Sequence, residues 1–151
     1  MIKLYRCEVS ENVSDMLIRQ AAEELCGVKT PVILRTEHGK PYFRDLPIKF
    51  SISHSEKKAI MAVSDREIGA DIQKIKPIHF GIADRFFTED ERMYVGDDIQ
   101  RFFEIWTKKE AYGKWEGRGL LANAKVDVTA LEFYTETDGE YIIAVYEKKE
   151  P

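Results

Sequence analysis

The chain has 151 residues, of which 44% are hydrophobic and 33% charged, enough apolar material for one compact domain or two small fused halves. A net charge of −4 speaks against a general nucleic-acid binder but leaves room for a local basic pocket that holds a small polyanion. With no run of about 18 apolar residues, no secretory signal in Met1–Ser10 and no metal-like spacing of Cys7 and Cys26, the sequence reads as a cytoplasmic protein with reduced cysteines and no membrane span.

The opening IKLYRCEV has the composition of a strand. Ser14 and Asp15 read as the N-cap of a helix running to about Leu25, with Gly27 as its stop. Pro31 to Arg35 is a strand, and His38-Gly39-Lys40-Pro41 a turn. PYF, IKFSISHS and KAIMAVSD read as short strands, followed by a turn at Asp65-Arg66-Glu67. IGADIQ is a strand that carries an acid within an apolar alternation, and Pro77 breaks the chain after it. IADRFF and the segment from Thr88 read as helical, with Thr88 and Glu91 matching a capping box. A helix starts near Gln100 and ends before Gly117, with Phe102, Phe103 and Trp106 as its apolar stripe. VDVTALEFYTE and EYIIAVYEKK close the chain as a hairpin around Asp138-Gly139. The order strand, helix, strands thus occurs twice, the second time from Ile68. It predicts an α+β arrangement of two similar halves, 1–67 and 68–151, whose sheets pack together.

Charged residues interrupt these patterns where chemistry is expected. The aromatic face of the long helix continues into Glu110 and Lys114. Charges beside a buried surface need a partner, a hydrogen bond or a ligand. The plainer reading is an exposed Glu–Lys pair worth about 0.3 kcal/mol. Asp71 and Gln73 share one face of their strand and can reach one ligand together. With Glu110 they make two carboxylates and an amide oxygen, a donor set suited to Mg²⁺. Read alone, Asp71 caps a turn and Gln73 faces solvent. His54 ends an apolar strand among three serines, and hydroxyls, strand-end amides and an imidazole suit a phosphate. Its alternative is a structural histidine. Lys40 beside the glycine turn is a mobile cation or an ordinary solvated lysine.

Taken in order, GKPYF, FSISHS, IGADIQ, RFFTEDE and FFEIWTKKEAYGKWEGRGL resemble the Sfp-type 4′-phosphopantetheinyl transferases, of which this would be a compact member. The resemblance runs from about Thr36 to Gly119. It implies the phosphopantetheinyl-transferase fold, two pseudo-symmetric halves each with a helix on a small antiparallel sheet. It also implies an enzyme that moves the 4′-phosphopantetheine arm of coenzyme A onto a serine of an apo acyl or peptidyl carrier protein, releasing 3′,5′-ADP. By the same resemblance Asp71, Gln73 and Glu110 hold Mg²⁺, and Glu110 also takes the serine proton. Lys114 meets the coenzyme A phosphates, Lys40, Ser53 and His54 line the nucleotide site, and Lys109 and Trp106 support the motif. A non-catalytic carrier- or nucleotide-binding module of the same fold is the alternative. Gln73 stands where an acid is common in the family. The basic segment that grips the 3′-phosphate in longer members is not recognisable, and Lys29 and Arg19 are the substitutes considered. A monomer is expected, as is a carrier-facing rim from Lys74 to Phe87 with Ile78, Phe80 and Phe87 as apolar anchors.

Overall fold

The computed structural model describes residues 2–148. The first half of the chain forms β1 (Lys3–Glu8), α1 (Val13–Cys26), β2 (Ile33–Arg35), β3 (Pro41–Phe43), β4 (Lys49–Ser55) and β5 (Lys58–Ser64). The second forms β6 (Ile68–Lys74), α2 (Ile82–Phe86), α3 (Glu89–Val95), α4 (Ile99–Glu116), β7 (Tyr134–Asp138) and β8 (Tyr141–Glu147). Two antiparallel three-stranded sheets result, β1-β5-β4 and β6-β8-β7, with the β2–β3 hairpin beside the first. Their wiring is the same: the opening strand pairs with the last, and the last with the one before it. The fold is therefore α+β with two pseudo-symmetric halves.

Strand alternation sorts the layers. On one face of the first sheet Phe50, Ala59, Met61 and Val63 pack against Val13, Leu17 and Ala21 of α1. On the other, Ile60 and Ala62 meet Ile68, Ala70 and Ile72 of β6 and Tyr141, Ile143 and Val145 of β8. The far face of the second sheet receives α4, whose Phe102, Phe103 and Ile105 pack with Ile142 and with Phe87. The order of layers is helix, sheet, sheet, helix. Gly69 lets α4 close on β6, since a Cβ there would lie 2.0 Å from the Ala111 carbonyl oxygen and 2.3 Å from the Trp115 amide nitrogen.

Between the sheets runs a seam made of side chains. Ser51, Ser53 and Ser55 project from β4 toward β6, and their hydroxyls accept from the backbone N–H groups of Ala70 (3.0 Å), Ile72 (3.3 Å) and Lys74 (3.0 Å). These are alternate amides of β6 that do not serve its ladder with β8, and buried amides must find partners.

Several elements differ from the sequence expectation. The chain enters α1 through Asn12 in the left-handed region (φ 64°), without a side-chain cap, so Ser14 and Asp15 lie in the first turn rather than at the cap. Gly27 ends the helix as expected, at φ 69°. The strand expected from Pro31 is paired only from Ile33. Thr88 and Glu91 form the capping box, and Asp98 caps α4, which ends at Gly117. VDVTALEFYTE is strand only from Tyr134. Before it the chain makes a 3₁₀ turn at Val128–Ala130, because the Val128 N–H is drawn 2.7 Å to the buried carboxylate of Glu91. Lys149, the last residue of the expected closing strand, lies outside the described residues, as do Glu150 and Pro151. Of the expected carrier-facing anchors, Phe87 is core (6% exposed), and Ile78 and Phe80 pack partly buried against the same cluster. The exposed apolar side chains nearby are Ile82, Met93 and Tyr94.

Candidate active site

The seam delivers a carboxylate to the place where β4, β6 and α4 converge. Asp71 leaves β6 on the face toward α4 and is only 3% exposed. Both of its oxygens are held. Oδ1 accepts from the Ser53 hydroxyl at 2.7 Å and lies 3.5 Å from the Lys114 ammonium, and Oδ2 accepts from the Gln73 amide at 2.8 Å. Lys114 also donates to the Ile52 carbonyl at 3.1 Å, which ties the end of α4 to β4. Glu110, one helical turn before Lys114, opens on the same space.

That space is a cavity of about 400 Å³ whose wall includes Asp71, Glu110, Lys114, Ser53, His54 and Arg35. A second cavity of about 300 Å³ adjoins it, with Pro41, Ile52 and Lys114 common to both walls and Lys40, Gly117 and Gly119 further along. The two distant acids of the sequence thus face one volume. Residues 33–54 and residues 71–114 contribute to it together.

Electrostatics mark the pair of acids. Burial pushes the Glu110 carboxyl up to about 7, with the charge of Asp71 adding to the rise and Lys114 opposing it. Burial likewise raises Asp71, against the pull of Lys114, Gln73 and Ser53. Two acids on one cavity, both raised by burial and one of them also by the charge of the other, are a ready site for a divalent cation, which would relieve burial and repulsion at once. Asp71 and Glu110 therefore fit a divalent cation such as Mg²⁺, while Gln73 turns its amide N–H to Asp71. Among the described residues there is no group of three or more His, Cys, Asp or Glu side chains that could hold a metal, so any such site here rests on these two acids.

Two expected nucleotide ligands carry other duties. The Lys40 ammonium is held by the Ile68 carbonyl (3.0 Å), the Trp115 carbonyl (3.2 Å) and the Glu67 carboxylate (3.0 Å). It bridges the two halves and forms wall in the second cavity. Burial lowers its pKa, with Glu67 opposing. Ser53 uses its hydroxyl in both directions, toward Asp71 and from Ile72. His54 stands exposed at the rim. Arg19 pairs with Asp15 at 3.0 Å on the outer side of α1, and neither it nor Lys29 lines these cavities. Lys109 is fully buried against Glu91 at 2.7 Å and donates to the carbonyls of Ala124 and Val126. Its role is to pin the 124–128 segment beneath α4, and Trp106 stacks on Phe102 at 6.0 Å.

Sequence reasoning missed the Ile52 carbonyl, the serine seam and Arg35. The period-two serines of SISHS were the available signal for the seam. The other two depend on a backbone oxygen and on the placement of a hairpin, which no local pattern announces.

The profile of the 4′-phosphopantetheinyl transferase superfamily matches residues 67–151. The chain is 36% identical to 4′-phosphopantetheinyl transferase gsp of Aneurinibacillus migulanus over 115 residues, 72% of this chain and 48% of that protein. It is 41% identical to 4′-phosphopantetheinyl transferase Sfp of Bacillus subtilis (strain 168) over 90 residues, 56% of this chain and 40% of that protein. Against 4′-phosphopantetheinyl transferase AcpT of Escherichia coli (strain K12) the identity is 32% over 108 residues, 66% of this chain and 55% of that protein. The chain spans about half the length of the curated relatives it matches.

Proposed function

The chain belongs to the 4′-phosphopantetheinyl transferase superfamily, and we propose that it transfers the 4′-phosphopantetheine arm of coenzyme A to a serine of an apo acyl or peptidyl carrier protein. The observation that carries this reading is the convergence of Asp71, Glu110 and Lys114 on one cavity, with the Glu110 carboxyl poised at about 7.

In the reaction the serine oxygen bonds to the phosphorus that bears the pantetheine. The bond from that phosphorus to the nucleotide's 5′-phosphate oxygen breaks, and 3′,5′-ADP leaves. Glu110 takes the serine proton, directly or through a water, and general-base help of this kind is worth about 10²–10⁴-fold. Lys114 offsets negative charge that builds on the phosphoryl oxygens. Asp71 and Glu110 would hold Mg²⁺, which when bound supplies charge neutralisation to the diphosphate. Ser53 and Gln73 keep Asp71 oriented, and His54 offers a hydrogen bond to a phosphate at the rim. Lys40 acts as a wall and a tie between the halves. One chain furnishes every group, which supports a monomer, and we read the division into halves at Glu67–Ile68. No helix among the described residues is long and apolar enough to cross a membrane, compatible with the proposed cytoplasmic setting.

The test is incubation with apo carrier proteins, coenzyme A and Mg²⁺, read by intact mass. One added phosphopantetheine per carrier is expected, abolished by EDTA and by Glu110→Gln. Carrier binding without any mass gain across several carriers would favour a non-catalytic module of the same fold.

A further inference from the structure

Two consecutive residues of β4 hold two charged groups of the other half. The Ser53 hydroxyl donates to Asp71 Oδ1 at 2.7 Å, and the Ile52 carbonyl receives the Lys114 ammonium at 3.1 Å. The circuit closes between the charges themselves, where Lys114 Nζ lies 3.5 Å from the same Oδ1. That last separation is long. An ammonium and a carboxylate left to themselves meet at about 2.7–2.9 Å. Asp71 is buried, and among the described residues Lys114 is the one cation that pairs with it. The same helix supplies the contrast: Lys109, buried against Glu91, closes to 2.7 Å.

Competition for both partners keeps the Lys114 pair open. Ser53 occupies Oδ1, Gln73 occupies Oδ2 at 2.8 Å, and Ile52 draws the ammonium toward β4. Ser53 is held in place by the seam, since its hydroxyl also accepts from the Ile72 amide at 3.3 Å. A hydroxyl has a single proton to donate, and here it is given to Asp71. Ser51 and Ser55 make the matching bonds to the amides of Ala70 and Lys74, but neither donates to a carboxylate among the described residues. Ser53 thus does what its two neighbours in the seam do, and one thing more.

We propose that Ser53 is a positioning residue that keeps Lys114 from closing on Asp71, so that the acid stays open to a divalent cation and the ammonium stays open to a phosphoryl oxygen. The assignment rests on the transferase reading, which supplies both occupants. A closed Lys114–Asp71 pair would cancel one of the two acids on the cavity and spend the cation meant for the diphosphate. The first half of the chain contributes no metal ligand under this reading, yet through Ser53 it sets how tightly the second half binds metal.

Four forms separate this role from plain packing: wild type, Ser53→Ala, Ser53→Thr and Ser55→Ala. Ser53→Ala and Ser55→Ala each strand one amide of β6, so chemical denaturation should show similar losses in the two. Mn²⁺ affinity is read from the paramagnetic resonance signal of the unbound ion, with saturating coenzyme A and no carrier, so that nothing turns over. It should fall about tenfold or more in Ser53→Ala, stay within about twofold in Ser55→Ala, and recover in large part in Ser53→Thr, which restores the hydroxyl. Crystal structures of metal-free wild type and Ser53→Ala read the geometry directly. The Lys114–Asp71 separation should stay near 3.5 Å in the first and shrink to about 2.8 Å in the second. A pair that stays open in Ser53→Ala, or an equal fall in Mn²⁺ affinity in Ser55→Ala, overturns the role of Ser53 while leaving the transferase reading intact. If wild type binds no Mn²⁺ even with coenzyme A, the metal of that reading fails, and the two crystal structures alone decide the role of Ser53.

Discussion

Glu110→Gln should stabilise the metal-free protein, and should do so only as the pH rises. The folded carboxyl sits at about 7 against an ordinary 4.5, so the folded chain holds its proton more tightly than the unfolded chain does. Such a group contributes stability that is complete below about 4.5 and is lost as the pH climbs through about 7. At about 1.36 kcal/mol per pH unit the full loss would be roughly 3.4 kcal/mol. Glu110 is only partly buried and solvent screens its charge, which brings the expected effect to about 2 kcal/mol. Glutamine keeps the shape and has no proton to lose. The melting temperature of Glu110→Gln should therefore match wild type near pH 4.5 and exceed it by about 4–8 °C at pH 8 in EDTA. Addition of Mg²⁺ at pH 8 should raise wild type more than the variant, because ligation favours the ionised acid. Thermal melts between pH 4.5 and 8, with EDTA and with Mg²⁺, read both effects. A difference between the two proteins that stays flat across this range would refute the claim that burial and Asp71 hold the Glu110 proton.

Three further outcomes follow from the packing. Lys109→Met leaves the Glu91 carboxylate buried with the Thr88 and Val128 amides but no cation, and should cost about 3–5 kcal/mol in urea unfolding. Hydrogen exchange in 124–128 should rise with it, and a loss below 1 kcal/mol would deny the pinning role. Gly69→Ala places a methyl 2.0 Å from a helix carbonyl, which must move α4 off β6 and should cost about 3 kcal/mol or more. Near-wild-type stability in that variant would mean the helix does not close on the strand as described. Ser51→Ala strands the Ala70 amide and should cost about 1–3 kcal/mol, measured by chemical denaturation, whereas no change would show that water replaces the hydroxyl.

What the sequence disclosed and what it hid divide along the range of the forces involved. The alternation of IGADIQ and the stripe from Phe102 through Trp106 to Glu110 and Lys114 are local periodicities, and the structure keeps both. Thr88, Glu91, Gly27 and the Asp138-Gly139 turn are local hydrogen-bond chemistry and were equally legible. Asn12 was not, since a left-handed entry into α1 displaces the capping signals at Ser14 and Asp15 without any breaker residue. The stretch from Val126 to Phe133 has strand composition, yet a buried carboxylate 37 positions away bends it into a turn. Ser53 and Lys40 read as ligands, and the partners the structure gives them within the protein, Asp71 and the Ile72 amide for one and Glu67 with the Ile68 and Trp115 carbonyls for the other, are contacts between distant parts of the chain that no local pattern announces.

The serine seam has a consequence for how this chain can be taken apart. A fragment beginning at Ile68 would bare three unsatisfied amides along β6 together with the apolar face of Ile68, Ala70 and Ile72. A naked strand border of that kind recruits other strands. Severed from its hydroxyl-bearing neighbour, the second half should clump instead of persisting as a free module. The two pseudo-repeats are thus mutual chaperones, and neither could be shed or exchanged without first acquiring a different guard for that border.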